Sequence, residues 1–141
     1  MKLKVSRADV WVASLKDKPG ALAQKLAPLA QAGANLEFII ARRCPDEPGT
    51  GVVFITPLQG LRQLKAAKLA GFTKTKSLYA LRVVAPDAKG LGAKITAALA
   101  AAGVNLRGLS AAALAKQSVT HLAFNSAAQA QKALRILKKL S

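Results

Sequence analysis

The sequence predicts an α+β fold made of two βαββαβ modules in tandem, each with an antiparallel sheet and its helices on one face. Three observations lead to this prediction. A five-residue segment recurs 70 positions later, strand-like and helix-like patterns follow the same order in both copies, and hydrophobic residues make up 52% of the 141-residue chain. So much apolar material supplies a core and excludes a disordered chain.

The internal repeat is visible in one segment, since Ala32-Gly33-Ala34-Asn35-Leu36 recurs as Ala102-Gly103-Val104-Asn105-Leu106. The same spacing relates further pairs: Asp17 and Asp87, Gly20 and Gly90, Leu29 and Leu99, Phe54 and Phe124. It also relates residues 56–59 to 126–129, where a hydroxyl residue precedes Gln by three positions. This is the pattern of a capping box, so we expect a helix to begin at residue 57 and another at 127.

In the first copy, periodicity predicts six elements in a fixed order. Leu22, Leu26 and Leu29 form one stripe of a helix that Gly33 ends. The remaining elements are strands at 10–15, 35–41, 52–55 and 72–76 and a helix at 57–69, with a turn rich in Pro and Gly at 44–51. This βαββαβ order is typical of the ferredoxin-like arrangement.

The second copy repeats this order but ends after its second helix. Strands are predicted at 78–85, 104–112 and 119–124, and helices around residues 91–99 and at 127–140. Residues 2–6 align with the last strand of the first copy, and Leu3 and Val5 alternate with polar residues. We therefore expect modules at 8–76 and 77–141, with residues 2–6 supplying the fourth strand of the second by pairing with 78–85.

The first strand-to-helix loop reads Asp17-Lys18-Pro19-Gly20-Ala21-Leu22, and Asn35 follows it. With these residues and the element order, the sequence resembles ACT domains over nearly its whole length. The second copy keeps Asp87, Gly90, Leu91 and Asn105, but Lys89 replaces the proline. The resemblance implies modules paired side by side and an amino acid bound between the loop of one module and the second strand of its partner. It also implies a regulatory protein that can form a homo-oligomer and can act on a partner enzyme.

The chemistry of a free amino acid suggests roles for these residues. Gly20 and Gly90 allow a carboxylate to approach a helix N-terminus, and Asp17 and Asp87 can accept hydrogen bonds from an ammonium group. The predicted ligand-binding residues are Asp17, Lys18, Pro19, Gly20, Ala21, Leu22, Asn35, Asp87, Gly90, Leu91, Gly92 and Asn105. The site at 17–22 is expected to be the stronger one. Two structural alternatives stay open: the aspartates can serve as helix caps and the asparagines as turn residues.

The strongest alternative function is nucleic-acid binding, because 22 Lys and Arg against 6 acids give a net charge of +16. Matching basic stripes are predicted on two helices: Arg62, Lys65 and Lys68, then Lys132, Arg135 and Lys138. Aromatic residues are only 4%, however, and Phe54 and Phe124 are expected in the core rather than on a base-stacking surface. Ligand binding is therefore preferred, with nucleic acid as the alternative.

No pattern in the sequence indicates an enzyme, a cofactor or a metal site. His121 is the only histidine and Cys44 the only cysteine, and neither has a catalytic partner at a recognisable spacing. Neither a signal peptide nor an apolar stretch of about 20 residues is visible, so we expect a cytoplasmic protein without a membrane partner.

Overall fold

The structure, a computed structural model, describes residues 2–75 and 79–140, which form two compact units. The first module comprises Asp9–Thr75, and the second module comprises residues 2–8 together with 79–140. The elements are β1 (Lys4–Ala8), β2 (Trp11–Lys16), α1 (Ala21–Gln31), β3 (Phe38–Arg43), β4 (Thr50–Thr56), α2 (Gly60–Leu69), β5 (Thr73–Lys74), β6 (Tyr79–Pro86), α3 (Leu91–Ala101), β7 (Gly108–Leu114), β8 (Gln117–Phe124) and α4 (Ala127–Leu140).

The first module is an antiparallel sheet of order β3-β4-β2-β5 with α1 and α2 packed on it. Alternation along β4 turns Val53 and Ile55 inward, where they meet Leu29 of α1 and Ala67 of α2. Phe72 follows α2 and is 1% exposed, so it closes this core. The strand predicted at 72–76 is the two-residue β5, and Lys76 lies outside the described residues.

The second module has the sheet order β1-β6-β8-β7, so the N-terminal segment forms one edge. β1 pairs antiparallel with β6, from Lys4 opposite Val84 to Ala8 opposite Ala80. This is the pairing expected for residues 2–6, displaced by two positions. Leu3 is 7% exposed and lies in the same core as Leu81. Of the expected partner strand 78–85, residue 78 lies outside the described residues.

The spacing of 70 does not hold through the β3–β4 and β7–β8 hairpins. Trp11 pairs with Ile55, while Leu81, its equivalent 70 positions later, pairs with Leu122, only 67 positions after Ile55. The second hairpin is therefore three residues shorter. As a result Phe124 is fully buried, whereas Phe54 points to the other face of its sheet and is half-buried. The expectation that Phe54 lies in the core is wrong.

Of the two predicted capping boxes, only the second forms the bond from the helix N–H to the cap hydroxyl. Ser126 accepts a hydrogen bond from Gln129 N at 3.1 Å, and α4 begins at Ala127 as expected. The Thr56 hydroxyl is buried and donates instead to the carbonyl of Asp9 at 2.8 Å. α2 consequently begins at Gly60, three residues later than predicted. No helix in the described ranges is both long and apolar enough for a membrane span.

Candidate functional site

The strand-to-helix loops of the two modules share a backbone conformation. Gly20 and Gly90 precede α1 and α3 with φ of 84° and 76°, in the left-handed region that favours glycine. Each glycine is the N-cap residue of its helix and offers no side chain as a cap. Asp17 and Asp87 lie three positions earlier, so the helix-cap alternative does not account for them.

In the first module, the Asp17 carboxylate is occupied by a cation of its own sheet. Arg43, the last residue of β3, places Nε at 2.8 Å from Asp17 Oδ2. The Asp17 backbone N–H also donates to Gly49 O at 3.0 Å, which ties the loop to the β3–β4 hairpin. The arginine side chain therefore lies beside the loop that the sequence singles out as the stronger ligand site.

In the second module, Ala113 takes the place of Arg43. Arg43 lies at the end of β3 opposite Gly51, and Ala113 lies near the end of the equivalent strand β7 opposite Ser118. Within the described ranges, no cationic group forms a salt bridge with Asp87. The Asp87 backbone N–H donates to Lys116 O at 2.8 Å, which ties this loop to the turn between β7 and β8.

A cavity of about 260 Å³ opens beside this second loop, between the start of α3 and the strands β7 and β8. Leu91, Ile95 and Leu109 form apolar walls, and Asp87, Ser118 and Thr120 contribute polar groups. The full lining comprises Asp87, Ala88, Gly90, Leu91, Gly92, Ile95, Leu109, Ala111, Ala112, Ala113, Ser118 and Thr120. The cavity combines one carboxylate, two hydroxyls and an apolar surface.

Thr120 is the most informative side chain of this lining. It is 4% exposed as a residue and lines the cavity. The Ser118 hydroxyl of the same strand donates to Ala85 O at 3.1 Å. At the register position of Thr120, the first module carries the apolar Val53, because Ala41 pairs with Val53 and Ala111 with Thr120. The second module therefore has a polar group in its cavity lining where the first module has an apolar side chain.

The sequence-predicted residues are only partly brought together. Residues 87–92 supply five cavity-lining residues, but Asn105 does not line the cavity, and its Oδ1 accepts a hydrogen bond from Leu106 N at 3.0 Å, a turn role. Asn35 and Asn105 are exposed and follow the far ends of α1 and α3, each 11 residues long. Within a module they are thus about 16 Å from the aspartate loop.

Sequence reasoning missed the strand residues of the cavity. The sequence places residue 95 only within a predicted helix and gives Leu109, Ser118 and Thr120 no site role. A signal for these residues exists in the sequence: Ser118 and Thr120 are two positions apart in a strand, so both hydroxyls lie on the same face of the sheet. His121 is 9% exposed within the same strand and is not among the cavity residues.

Comparison with solved structures supports the fold. No protein-family model matches the chain, and no curated protein sequence matches it significantly. Protein BT0572 from Bacteroides thetaiotaomicron is similar over 96% of this chain and 90% of its own, with 19% identity and a TM-score of 0.80. The regulatory subunit of aspartate kinase from Thermus thermophilus covers 99% of this chain and 96% of its own, with 17% identity and a TM-score of 0.65.

A second regulatory subunit of aspartate kinase, from Thermus flavus, covers 98% of this chain and 94% of its own, with 18% identity and a TM-score of 0.58. These likenesses extend over both modules and confirm the predicted fold class, an α+β fold of two modules in tandem, each with an antiparallel sheet and two helices. At such identities the similarity concerns the fold alone.

Proposed function

We propose that this chain is a regulatory protein that binds a free amino acid, or a zwitterion of similar size, in the cavity of the second module. The observation that carries the proposal is that one cavity is lined by the carboxylate of Asp87, which forms no salt bridge with a described residue, and by the hydroxyl of Thr120. An ammonium group is a donor that a carboxylate and a hydroxyl oxygen can both accept from.

The start of α3 supplies the complementary charge. The first N–H groups of a helix have no partner within it, and the helix dipole makes this end favourable for an anion. Gly90 and Gly92 leave the approach open, since a Cβ added at either glycine would meet nothing within 4 Å. A ligand carboxylate at the N–H groups of residues 92 and 93 would be near an ammonium held by Asp87.

The size and walls of the cavity limit the ligand. A volume of about 260 Å³ is just below the range of pockets for drug-sized molecules, so it suits a compound with few heavy atoms. Leu91, Ile95 and Leu109 favour an apolar or short side chain. Ala111 and Ala113 keep the strand side open, whereas Arg43 lies at the corresponding end of the first module.

The regulatory part of the proposal is supported by fold likeness. Two of the structures described above are regulatory subunits of aspartate kinase, and both are covered over more than nine tenths of their length. By analogy, this chain would act on a partner enzyme and would carry no catalytic activity itself. A fold can host several functions, so the ligand has to be tested at the cavity.

A thermal-shift screen against the twenty amino acids tests the proposal directly. A ligand that binds only the folded state raises Tm, by an amount that grows with its concentration above Kd. The best ligand is then titrated by calorimetry into the wild type, Asp87→Asn and Thr120→Val. We expect each variant to weaken binding by about tenfold or more, since each removes a hydrogen bond to the charged ammonium group and such bonds contribute about 1.5–3 kcal/mol.

Asp17→Asn is the matched control, because it makes the same change in the loop whose carboxylate is paired with Arg43. Its affinity for the ligand should stay within about twofold of the wild-type affinity. This is far less than a tenfold loss, which corresponds to about 1.4 kcal/mol. A screen without any Tm increase would refute the proposed ligand class. Equal losses in Asp17→Asn and Asp87→Asn would refute the assignment to the second module.

A further inference from the structure

The positive charge of the chain is concentrated in the second module. Its described residues contain twelve Lys and Arg against a single acid, Asp87, while those of the first module contain nine against five. The twelve are Lys2, Lys4, Arg7, Arg82, Lys89, Lys94, Arg107, Lys116, Lys132, Arg135, Lys138 and Lys139. The formal charges are thus +11 and +4, and the ligand cavity, with its one carboxylate, does not use this excess.

Helix α4 collects four of these cations on one face. Ala130, Ala133 and Leu137 are buried in the core of the second module. At 100° per residue, Lys132, Arg135, Lys138 and Lys139 fall on the opposite side, and all four are exposed. We call these four residues together with Arg7 the α4 face.

Arg7 joins this face from the neighbouring edge strand. It lies in β1, and its guanidinium donates a hydrogen bond to the Gln131 side chain on α4. Gln131 directly precedes Lys132, so the fifth cation is placed at the N-terminal half of the basic helix face. The N-terminal strand, therefore, adds charge to α4 as well as completing the sheet.

The equivalent helix of the first module, α2, has exposed leucines that α4 lacks, and this difference distinguishes a protein partner from a phosphate-bearing one. α2 carries Arg62, Lys65 and Lys68 at the matching positions, but also Leu61 and Leu69, which are 86% and 82% exposed. Their counterparts on α4 are Gln131 and Lys139. The cores of protein interfaces are depleted in Lys and enriched in apolar and aromatic side chains, whereas a surface of Lys and Arg is sufficient to bind phosphate groups. With Gln131 and Lys139 in place of the two leucines, α4 has the composition of a phosphate-binding surface.

We propose that the α4 face binds the phosphate backbone of nucleic acid without reading the base sequence. Lys132 and Lys139 are seven residues apart, about 10 Å along the axis, which spans several phosphates of one strand. The α4 face contains no aromatic residue on which bases could stack. Binding therefore rests on charge and decreases steeply with salt, and it is independent of the amino-acid cavity.

Fluorescence anisotropy with labelled duplex DNA of arbitrary sequence tests the proposal on the full chain. The wild type should bind at about 50 mM salt and lose most of its affinity by about 200 mM. Arg135→Gln/Lys138→Gln should weaken binding about tenfold or more. It should also reduce the slope of log affinity against log salt by about 2, because each lost phosphate contact removes about 0.9.

The double variant Lys65→Gln/Lys68→Gln is the matched control. It removes the same charge at the equivalent positions of α2, and its slope should change by less than about 1. All four side chains lie on helix surfaces, and equal melting temperatures would show that both variants are folded. Equal losses from the two variants, or no binding at low salt, would overturn the proposal. Competition by poly-glutamate as effective as that by unlabelled DNA would instead indicate an acidic protein partner.

Discussion

Arg43 Nε lies 2.8 Å from Asp17 Oδ2, and at the equivalent position near Asp87 the chain carries Ala113. Where the arginine is present, the carboxylate of the loop is paired with it. Where alanine replaces it, the loop lies beside a cavity of about 260 Å³. The proline-containing loop that the sequence ranks first is the one with the ion pair. Under the proposed function, the second loop becomes the better ligand site because of a strand residue that is remote in the sequence.

Ala113→Arg should abolish ligand binding in the second module. The long side chain would enter the cavity and bring its guanidinium to the Asp87 carboxylate, removing both space and the acceptor. We expect at least a tenfold loss of affinity in calorimetry with the best ligand of the amino-acid screen, equivalent to about 1.4 kcal/mol. Leu114→Arg is the control, since Leu114 is 85% exposed and is not among the cavity residues.

Arg43→Ala should change the stability of the first module only slightly. The side chains of the ion pair are 82% and 37% exposed, and exposed pairs contribute about 0–1 kcal/mol. A double-mutant cycle with Asp17→Asn, followed by urea unfolding, measures the coupling between the two groups. A coupling energy above about 2 kcal/mol would mean that the pair holds the loop far more strongly than its exposure indicates.

Leu3→Ala should destabilise the second module by about 2–4 kcal/mol, because a large apolar side chain is removed from a packed core. Leu3 is 7% exposed and packs in the same cluster as Leu81 and Leu137. Leu114→Ala makes the same change at an exposed site and should cost less than about 0.5 kcal/mol. Similar losses for both variants in urea unfolding would contradict the docking of the N-terminal segment.

Ser126→Ala should destabilise α4 by about 1 kcal/mol, since the Gln129 N–H would lose its acceptor. Ser126→Asp should retain most of the stability, because a carboxylate can accept the same bond and favours the helix N-terminus. Chemical denaturation of the three proteins gives the comparison. If Ser126→Asp is as unstable as Ser126→Ala, the hydroxyl does not act as a cap.

The sequence by itself determined the element order and the local turns. Helix stripes such as Leu91, Ile95 and Leu99, and glycines such as Gly20 and Gly90, depend on interactions between residues close in the chain. The repeat aligned residues 2–6 with the last strand of the first copy and so indicated a strand near the observed β1. These inferences needed only periodicity, turn chemistry and the internal alignment.

Only the tertiary structure decided which residues face one another. The three-residue difference between the hairpins moved Phe54 out of the core, and it could be recognised only from the pairing of Ile55 and Leu122 with their partners. The pairing of distant strands places Arg43 next to Asp17. It also places Thr120 and Asp87 in the lining of the same cavity. A one-residue change of register turns a side chain to the other face of a sheet, so the composition of such a site is a property of the packed sheets.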